Sequence, residues 1–186
     1  MNKTFTLNSA KSEAAPIYET LRALEIRMFD GFIKPQCIIR GDAFGVLPPG
    51  TKGLIVNTIL NHVDIGTPTQ EHRENEVVIR QLHECVVQLD FYHSNSEVAR
   101  GLAESFKAFV RTPQCVEVFN REGIGVLYSE DVRNLTTTGA DNKPNYRWML
   151  TLHLSHTHKL TVSQETFDNI VVGVKNIDVH FPPSGD

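Results

Sequence analysis

The chain has 186 residues, of which 40% are hydrophobic and 22% charged, as in a folded globular domain rather than a disordered chain. Its formal net charge of −4 argues against a dedicated nucleic-acid-binding protein, which usually carries a basic excess. No stretch approaches the roughly 18 apolar residues of a membrane span, and the first residues lack the apolar segment of a signal peptide. We therefore expect a cytoplasmically made protein without a membrane segment.

The chain shows no internal repeat and no low-complexity tract. We expect a flexible N-terminal segment (1–12), one domain (13–182) and a short C-terminal tail (183–186). Three widely separated cysteines, Cys37, Cys85 and Cys115, favour a reducing compartment and offer neither a disulfide framework nor paired zinc ligands.

The first predicted element is a helix over residues 13–30. Ile17, Leu21, Leu24 and Met28 recur at helical spacing, and Gly31 follows as a stop signal. The stretch 35–53 contains three prolines and four glycines, so it is predicted to be a loop, with a short strand at 37–40.

Two strands are predicted next, separated by a polar break. Residues 54–66 are rich in Val, Ile and Thr, and 76–93 read as one long strand or two collinear strands. The core face of the second is expected to carry Cys85, Val87, Leu89 and Phe91. The break, Thr67–Asn75, is predicted to be a loop.

A sharp corner then leads into a second helix, from about Asn95 to Val110. Ser94 with Glu97 forms a capping-box pattern, and an apolar stripe follows at helical spacing, made of Val98, Leu102, Phe106 and Phe109. We expect this helix to cover the apolar face of the preceding strand.

The rest of the chain is predicted to be mainly β. Short strands are expected at 115–120 and 125–135, a turn-rich tip at Thr136–Asn145, an alternating strand at 146–158 and a last strand or two at 167–181. The fold class is therefore α+β: a mainly antiparallel sheet with two main helices on one face.

Histidines are the first candidates for chemistry. His156 and His158 would share one face of a strand while His153 faces away, and His83 shares a face with Cys85. No four-ligand set is visible, so solvated or interfacial histidines are the simpler interpretation, and we predict no stoichiometric metal and no cofactor.

No catalytic signature accompanies them. The chain contains no nucleophile-elbow, phosphate-loop, zinc-protease or dinucleotide motif. Cys85 and Cys115 lie in apolar patterns that favour burial, and Asp90 and the Asp131–Arg133 segment read as ordinary polar strand residues. We predict no catalytic, cofactor-binding or metal-binding residues, and a protein that is not an enzyme.

A resemblance to phage neck and tail terminator proteins rests on several segments in order. The segment 86–109, "VVQLDFYHSNSEVARGLAESFKAF", resembles their Q-x-D-F-Y-then-helix segment. "LPPGTKGLIVNTIL" (47–60), "GIGVLYSEDVRNLT" (123–136) and "YRWMLTLHLSH" (146–156) resemble the strands around it. The resemblance implies that Gln88, Asp90, Phe91 and Tyr92 mark the fold rather than an active site.

The resemblance also implies a function: a small α+β subunit that forms a ring, commonly a hexamer, at the end of a phage tail tube. Its expected partners are further copies of itself, the tail tube protein and the neck or head-completion proteins, with DNA passing through the ring lumen and no membrane. Candidate reaching loops are Thr67–Asn75 and Thr136–Asn145, for which an ordinary solvated turn is the alternative. The 35–53 insert is either a docking loop or a longer connection.

Two other functions stay open at this point. One is another phage part of related topology, such as a tube or head-completion protein. The other is a small metal-binding or enzymatic α+β domain that uses His153, His156 and His158.

Overall fold

The computed structural model describes residues 14–42, 51–73, 76–138, 142 and 144–163. The predicted loose ends, residues 43–50 of the 35–53 insert and the predicted strand at 167–181 lie outside these residues. The helices and strands are α1 (Ala14–Met28), a 3-10 turn (Pro35–Cys37), β1 (Ile38–Arg40), β2 (Gly53–Arg73), β3 (Glu76–His93), α2 (Ser96–Val110), α3 (Pro113–Arg121), β4 (Ile124–Ser129), β5 (Arg133–Asn134), β6 (Thr137–Thr138), β7 (Pro144–Asn145) and β8 (Arg147–Ser163).

One sheet organises the described part of the chain. Its strand order is β1-β2-β3-β8-β4, with β5 paired to β8, and every pairing except the short parallel β1–β2 contact is antiparallel. This arrangement confirms the predicted α+β class. The predicted strand within residues 37–40 is confirmed as β1.

The three helices contribute to one hydrophobic core on one face of the sheet. The β3 side chains predicted to face a helix are fully buried, and the α2 residue Phe106 lies among them with its ring 6.2 Å from that of Phe91. Phe29, just after α1, contacts the same two rings at 6.0 and 6.2 Å. This core confirms the predicted packing of the second helix on β3.

The corner between β3 and α2 is capped one residue later than predicted. Asn95, not Ser94, is the N-cap: its side-chain oxygen accepts hydrogen bonds from the backbone N–H groups of Glu97 and Val98. The backbone N–H of Ser94 instead donates to the carbonyl oxygen of Lys52 at 2.8 Å. The backbone of Ser94 therefore connects the corner to the residue before β2, and Asn95 caps the helix.

The predicted strand at 115–120 is wrong, because these residues form most of a third helix, α3. Thr112 caps it by accepting a hydrogen bond from the N–H of Cys115, and Pro113 occupies the first turn. Proline is favoured there because its missing N–H would have no partner inside the helix. Cys115 and Phe119, four residues apart, are both fully buried. The sheet thus carries three α-helices rather than two.

The predicted polar break at Thr67–Asn75 is also wrong. β2 continues to Arg73 and pairs with β3 as far as Glu76, with register shifts near Ile59 and Gly66. Gly66 has a φ of +70°, a left-handed conformation that glycine adopts without a steric penalty. The two strands therefore pair as one long antiparallel ribbon as far as Arg73 and Glu76.

Candidate assembly surfaces

A three-stranded arm extends the sheet away from the core. We define the arm as residues 63–73 of β2, 76–84 of β3 and 155–163 of β8, from the paired row Val63–Glu84–Ser155 to the row Arg73–Glu76–Ser163. At about 3.3 Å per residue, it is roughly 30 Å long. Every β2 residue from 60 to 73 is exposed, and among the described strands β3 is its one partner there.

An apolar patch lies on the face of the arm that points away from the helices. Val63, Ile65 and Leu82 form this arm patch, and they are 44%, 39% and 41% exposed. Ile65 and Leu82 are direct cross-strand partners. Adjoining exposed apolar side chains offer a surface on which another protein can pack.

Ion pairs tie the outer end of the arm together. Glu71 accepts from Arg80 at 2.7 Å and from Arg73 at 3.1 Å, and Arg73 also reaches Glu76 at 3.3 Å. The hydrogen bonds from Arg80 and Arg73 hold the pKa of Glu71 below its usual value. All four side chains are largely exposed, so these pairs fix geometry more than they add stability.

Asp90 is held as a structural ion-pair partner rather than as a free base. Arg147 donates to both of its carboxylate oxygens at 2.9 Å, and Gln88 donates to one of them at 2.7 Å. Arg147 also lies over the ring of Tyr92 at 5.7 Å. The residues Gln88, Asp90 and Tyr92 thus meet around one arginine on the face opposite the helices.

His153 lies apart from the other strand histidines, as predicted from its face of β8. Its Nδ1 is 2.6 Å from a Glu84 carboxylate oxygen, and its Nε2 is 3.4 Å from Glu130. The ring of Tyr128 stacks on it at 4.0 Å. His153 therefore belongs to a polar network on the face opposite the helices, separate from His156 and His158.

A histidine cluster forms on the helix-side face, and we define it as His62, His83, His156 and His158. The rings of His83 and His156 stack at 5.5 Å, and His62 meets His156 edge-on at 5.5 Å. His158 lies 5.9 Å from His83. The sequence pattern predicted the shared face of His156 and His158 but not the part of His62, which depends on the β2–β3 register.

Within the described residues, no group of three His, Cys, Asp or Glu side chains stands in a geometry that could hold a metal ion. The clustered imidazoles contact each other through their rings. Burial, then the neighbouring His156 and His83, lowers the pKa of His62. Burial, then His83, lowers the pKa of His156.

The three cysteines and Asp131 have structural roles. Cys37, Cys85 and Cys115 are buried free thiols, and burial raises the pKa of Cys85 and of Cys115 to about 11. A thiol with so high a pKa is a poor nucleophile near neutral pH. Asp131 pairs with Lys107 at 2.6 Å on the surface, as an ordinary ion pair.

The second predicted loop, Thr136–Asn145, contains a small two-stranded ladder. Thr137 pairs with Asn145 and Thr138 with Pro144.

Among the described helices, none is long and apolar enough to cross a membrane.

A family model described as phage neck terminator protein matches residues 17–179 of the chain. The chain belongs to this phage neck terminator family. The match confirms the resemblance drawn from the sequence, and it assigns the protein a structural role in the phage neck or tail. The family is structural rather than enzymatic. No curated protein matches the chain.

Proposed function

We propose that this phage neck terminator protein forms a homo-oligomeric ring, of six subunits, that caps the tail tube and joins it to the neck of the head. Its partners in this proposal are copies of itself, the tail tube protein and the neck or head-completion proteins, and DNA passes through the lumen. The match to the family over residues 17–179 carries the proposal. The mature protein would reside in the virion neck.

The arm suits a subunit of such a ring. A ring closes through head-to-tail contacts, in which one surface of a subunit meets a different surface of the next. The arm presents a distinct surface roughly 30 Å long, and its patch of Val63, Ile65 and Leu82 lies on one face. We propose that the arm patch packs against the neighbouring subunit. A ring contact that is stable alone should bury at least about 1,000 Å² in total.

The proposal is tested in infected cells that make no copy of this protein. We expect tails of irregular or excessive length, or finished tails that do not join heads, seen by negative-stain electron microscopy. Complementation with the wild-type chain should restore joined particles. Normal virions in its absence would contradict the proposal, and intact tails beside heads that leak DNA would favour a head-completion role.

A patch variant tests the ring contact separately. Ile65→Asp with Leu82→Asp places two charges on the arm patch and should abolish complementation and ring formation. Gln70→Asp is the matched control, because Gln70 is exposed on the opposite face of the same arm. Equal complementation by the patch variant and the control would place the ring contact elsewhere. Circular dichroism of both purified variants checks that each is folded.

A further inference from the structure

The histidine cluster replaces apolar core residues where the arm leaves the body of the protein. Along the helix-side face of β3, buried Phe91, Leu89, Val87 and Cys85 are followed by His83. On β8, buried Leu154 is followed on that face by His156. His156 is paired with His83 of β3 on one side and with Ile124, the first residue of β4, on the other. The cluster therefore occupies the root of the arm, at the last row where β4 supports β8.

Four imidazoles in ring contact are compatible with the neutral state and not with a fully protonated one. His156 contacts two other rings at 5.5 Å, and His83 contacts both β8 histidines of the cluster, His156 and His158. Like charges at such distances repel each other, and partial burial removes much of the screening by water.

Few other charged groups face the cluster from the described elements. On β2, Asp64 places a carboxylate oxygen 2.9 Å from Nδ1 of His83, but its side chain is 71% exposed. On β3, the adjacent Cys85 thiol stays neutral because burial raises its pKa to about 11. β4 contributes the apolar Ile124 and Val126 to this face. Among the described residues, this partly hydrated carboxylate lies beside His83, and it leaves the ring contacts among the four imidazoles in place.

The neighbouring helices carry their own charges, and most of these are paired. Glu117 of α3 accepts from Arg121 at 2.6 Å, and Glu104 of α2 accepts from Arg100 at 2.8 Å. Lys107 of α2 pairs with Asp131. The α2 carboxylate of Glu97 lies in the first turn, where the helix dipole stabilises it.

We propose that the histidine cluster is a proton-operated latch: while its imidazoles are neutral, the three strands of the arm stay paired with one another at its root, and protonation at mildly acidic pH weakens this pairing along the arm. This latch does not depend on ring formation. The proposal rests on the contacts among four rings from three adjacent strands, over the rows where the buried core gives way to the arm.

The sign of the pH effect follows from the imidazoles whose pKa is lowered. His62 and His156 have pKa values below the ordinary 6.5 in the folded arm, so the loosened arm binds protons first as the pH falls through 6.5. Each such proton shifts the equilibrium toward the loosened arm by up to about tenfold per pH unit, and two protons by up to about 100-fold. The arm is closed above this window and loosens as the pH falls into it.

Hydrogen–deuterium exchange of the full-length protein, with a metal chelator present, tests the latch. Protection factors corrected for intrinsic exchange should fall at least about tenfold between pH 7.5 and 5.5 in arm peptides, while α2 peptides keep theirs. In His62→Gln with His156→Gln, this pH dependence should largely disappear. His72→Gln, an exposed arm histidine outside the cluster, should behave as wild type.

Two results would overturn the latch: arm protection in the wild type that does not change with pH, or an unchanged pH dependence in the double variant. If the double variant does not fold, NMR titration of the wild-type imidazoles decides the matter. Cluster signals and arm amides that shift together below pH 6.5 support the latch. Imidazoles that titrate at ordinary values, without any change in the arm amides, contradict it.

Discussion

Glu25 of α1 and Asn57 of β2 form a buried acid–amide pair beneath the sheet. The Asn57 side-chain nitrogen donates to one Glu25 carboxyl oxygen at 2.7 Å. The other Glu25 oxygen and the Asn57 side-chain oxygen are both buried, and among the described residues neither has a hydrogen-bond partner. One proton on Glu25 would satisfy both of these acceptors. Burial, the largest cause, raises the pKa of Glu25 to about 8, which keeps that proton in place at neutral pH.

Glu25→Gln should remove a pH-dependent loss of stability. The Glu25 pKa is raised on folding from about 4.5 to about 8, so its stabilising contribution is complete below about pH 4.5 and is lost as the pH rises to 8. Glutamine keeps both hydrogen bonds without titrating. Between pH 5 and 8, the free energy of unfolding of the variant relative to wild type should therefore rise by about 1.4 kcal/mol per pH unit.

Urea unfolding of both proteins at several pH values measures this difference in unfolding free energy. The histidines titrate in both proteins, so their contribution cancels in the difference. Glu19→Gln is the control, since Glu19 lies on the same helix but is exposed. A difference that stays constant with pH would show that Glu25 is ionised in the folded protein.

The corrected N-cap gives a discriminating pair of variants. Asn95→Ala should lower the free energy of unfolding by about 1 kcal/mol, because two N–H groups at the start of α2 lose their acceptor. Ser94→Ala should have much less effect, since the Ser94 contact to Lys52 is made by its backbone. Urea unfolding decides between them, and a larger loss for Ser94→Ala would restore the cap expected from the sequence.

Phe106→Ala should cost about 3–5 kcal/mol of unfolding free energy, because its ring is fully buried between α2 and the sheet. Phe32→Ala is the matched control: Phe32 is 65% exposed, and its loss should fall within about 0.5 kcal/mol. Chemical denaturation measures both. Equal effects of the two substitutions would contradict the packing of α2 on β3.

Asp90→Ala should destabilise the protein by about 2 kcal/mol, because it leaves the partly buried Arg147 guanidinium without its bidentate acceptor. The Asp90 side chain is 5% exposed, whereas that of Asp131, which also accepts from a cation, is 95% exposed. Asp131→Ala should therefore produce no measurable loss in the same unfolding assay. Comparable losses would mean that the Asp90–Arg147 pair behaves as a surface ion pair.

The elements that pack on one face were predictable from the sequence because burial leaves a periodic pattern. β3 and β8 alternate, α2 carries an apolar stripe, and each was predicted in the correct order. The sheet order and the β2–β3 register depend on distant pairing, so His62 could not be assigned to the histidine cluster beforehand.

The two elements that were predicted wrongly, the break at 67–75 and the strand at 115–120, have separate physical causes. The β2 side chains of the arm are exposed, so residues 67–73 have the polar composition that is typical of a loop. They form a strand because they pair with β3. In α3, the β-branched and aromatic residues of 115–120 favour a strand, whereas Thr112 and Pro113 before them form a helix start signal. Helical spacing of Cys115 and Phe119 was the second available signal.

Electron cryomicroscopy of the intact phage neck tests the central claim most directly. We predict a closed ring of six copies of this chain between the last ring of the tail tube and the head connector, with the arm patch against the adjacent copy. Density for this chain anywhere else in the particle, or its absence from the finished virion, would contradict the account.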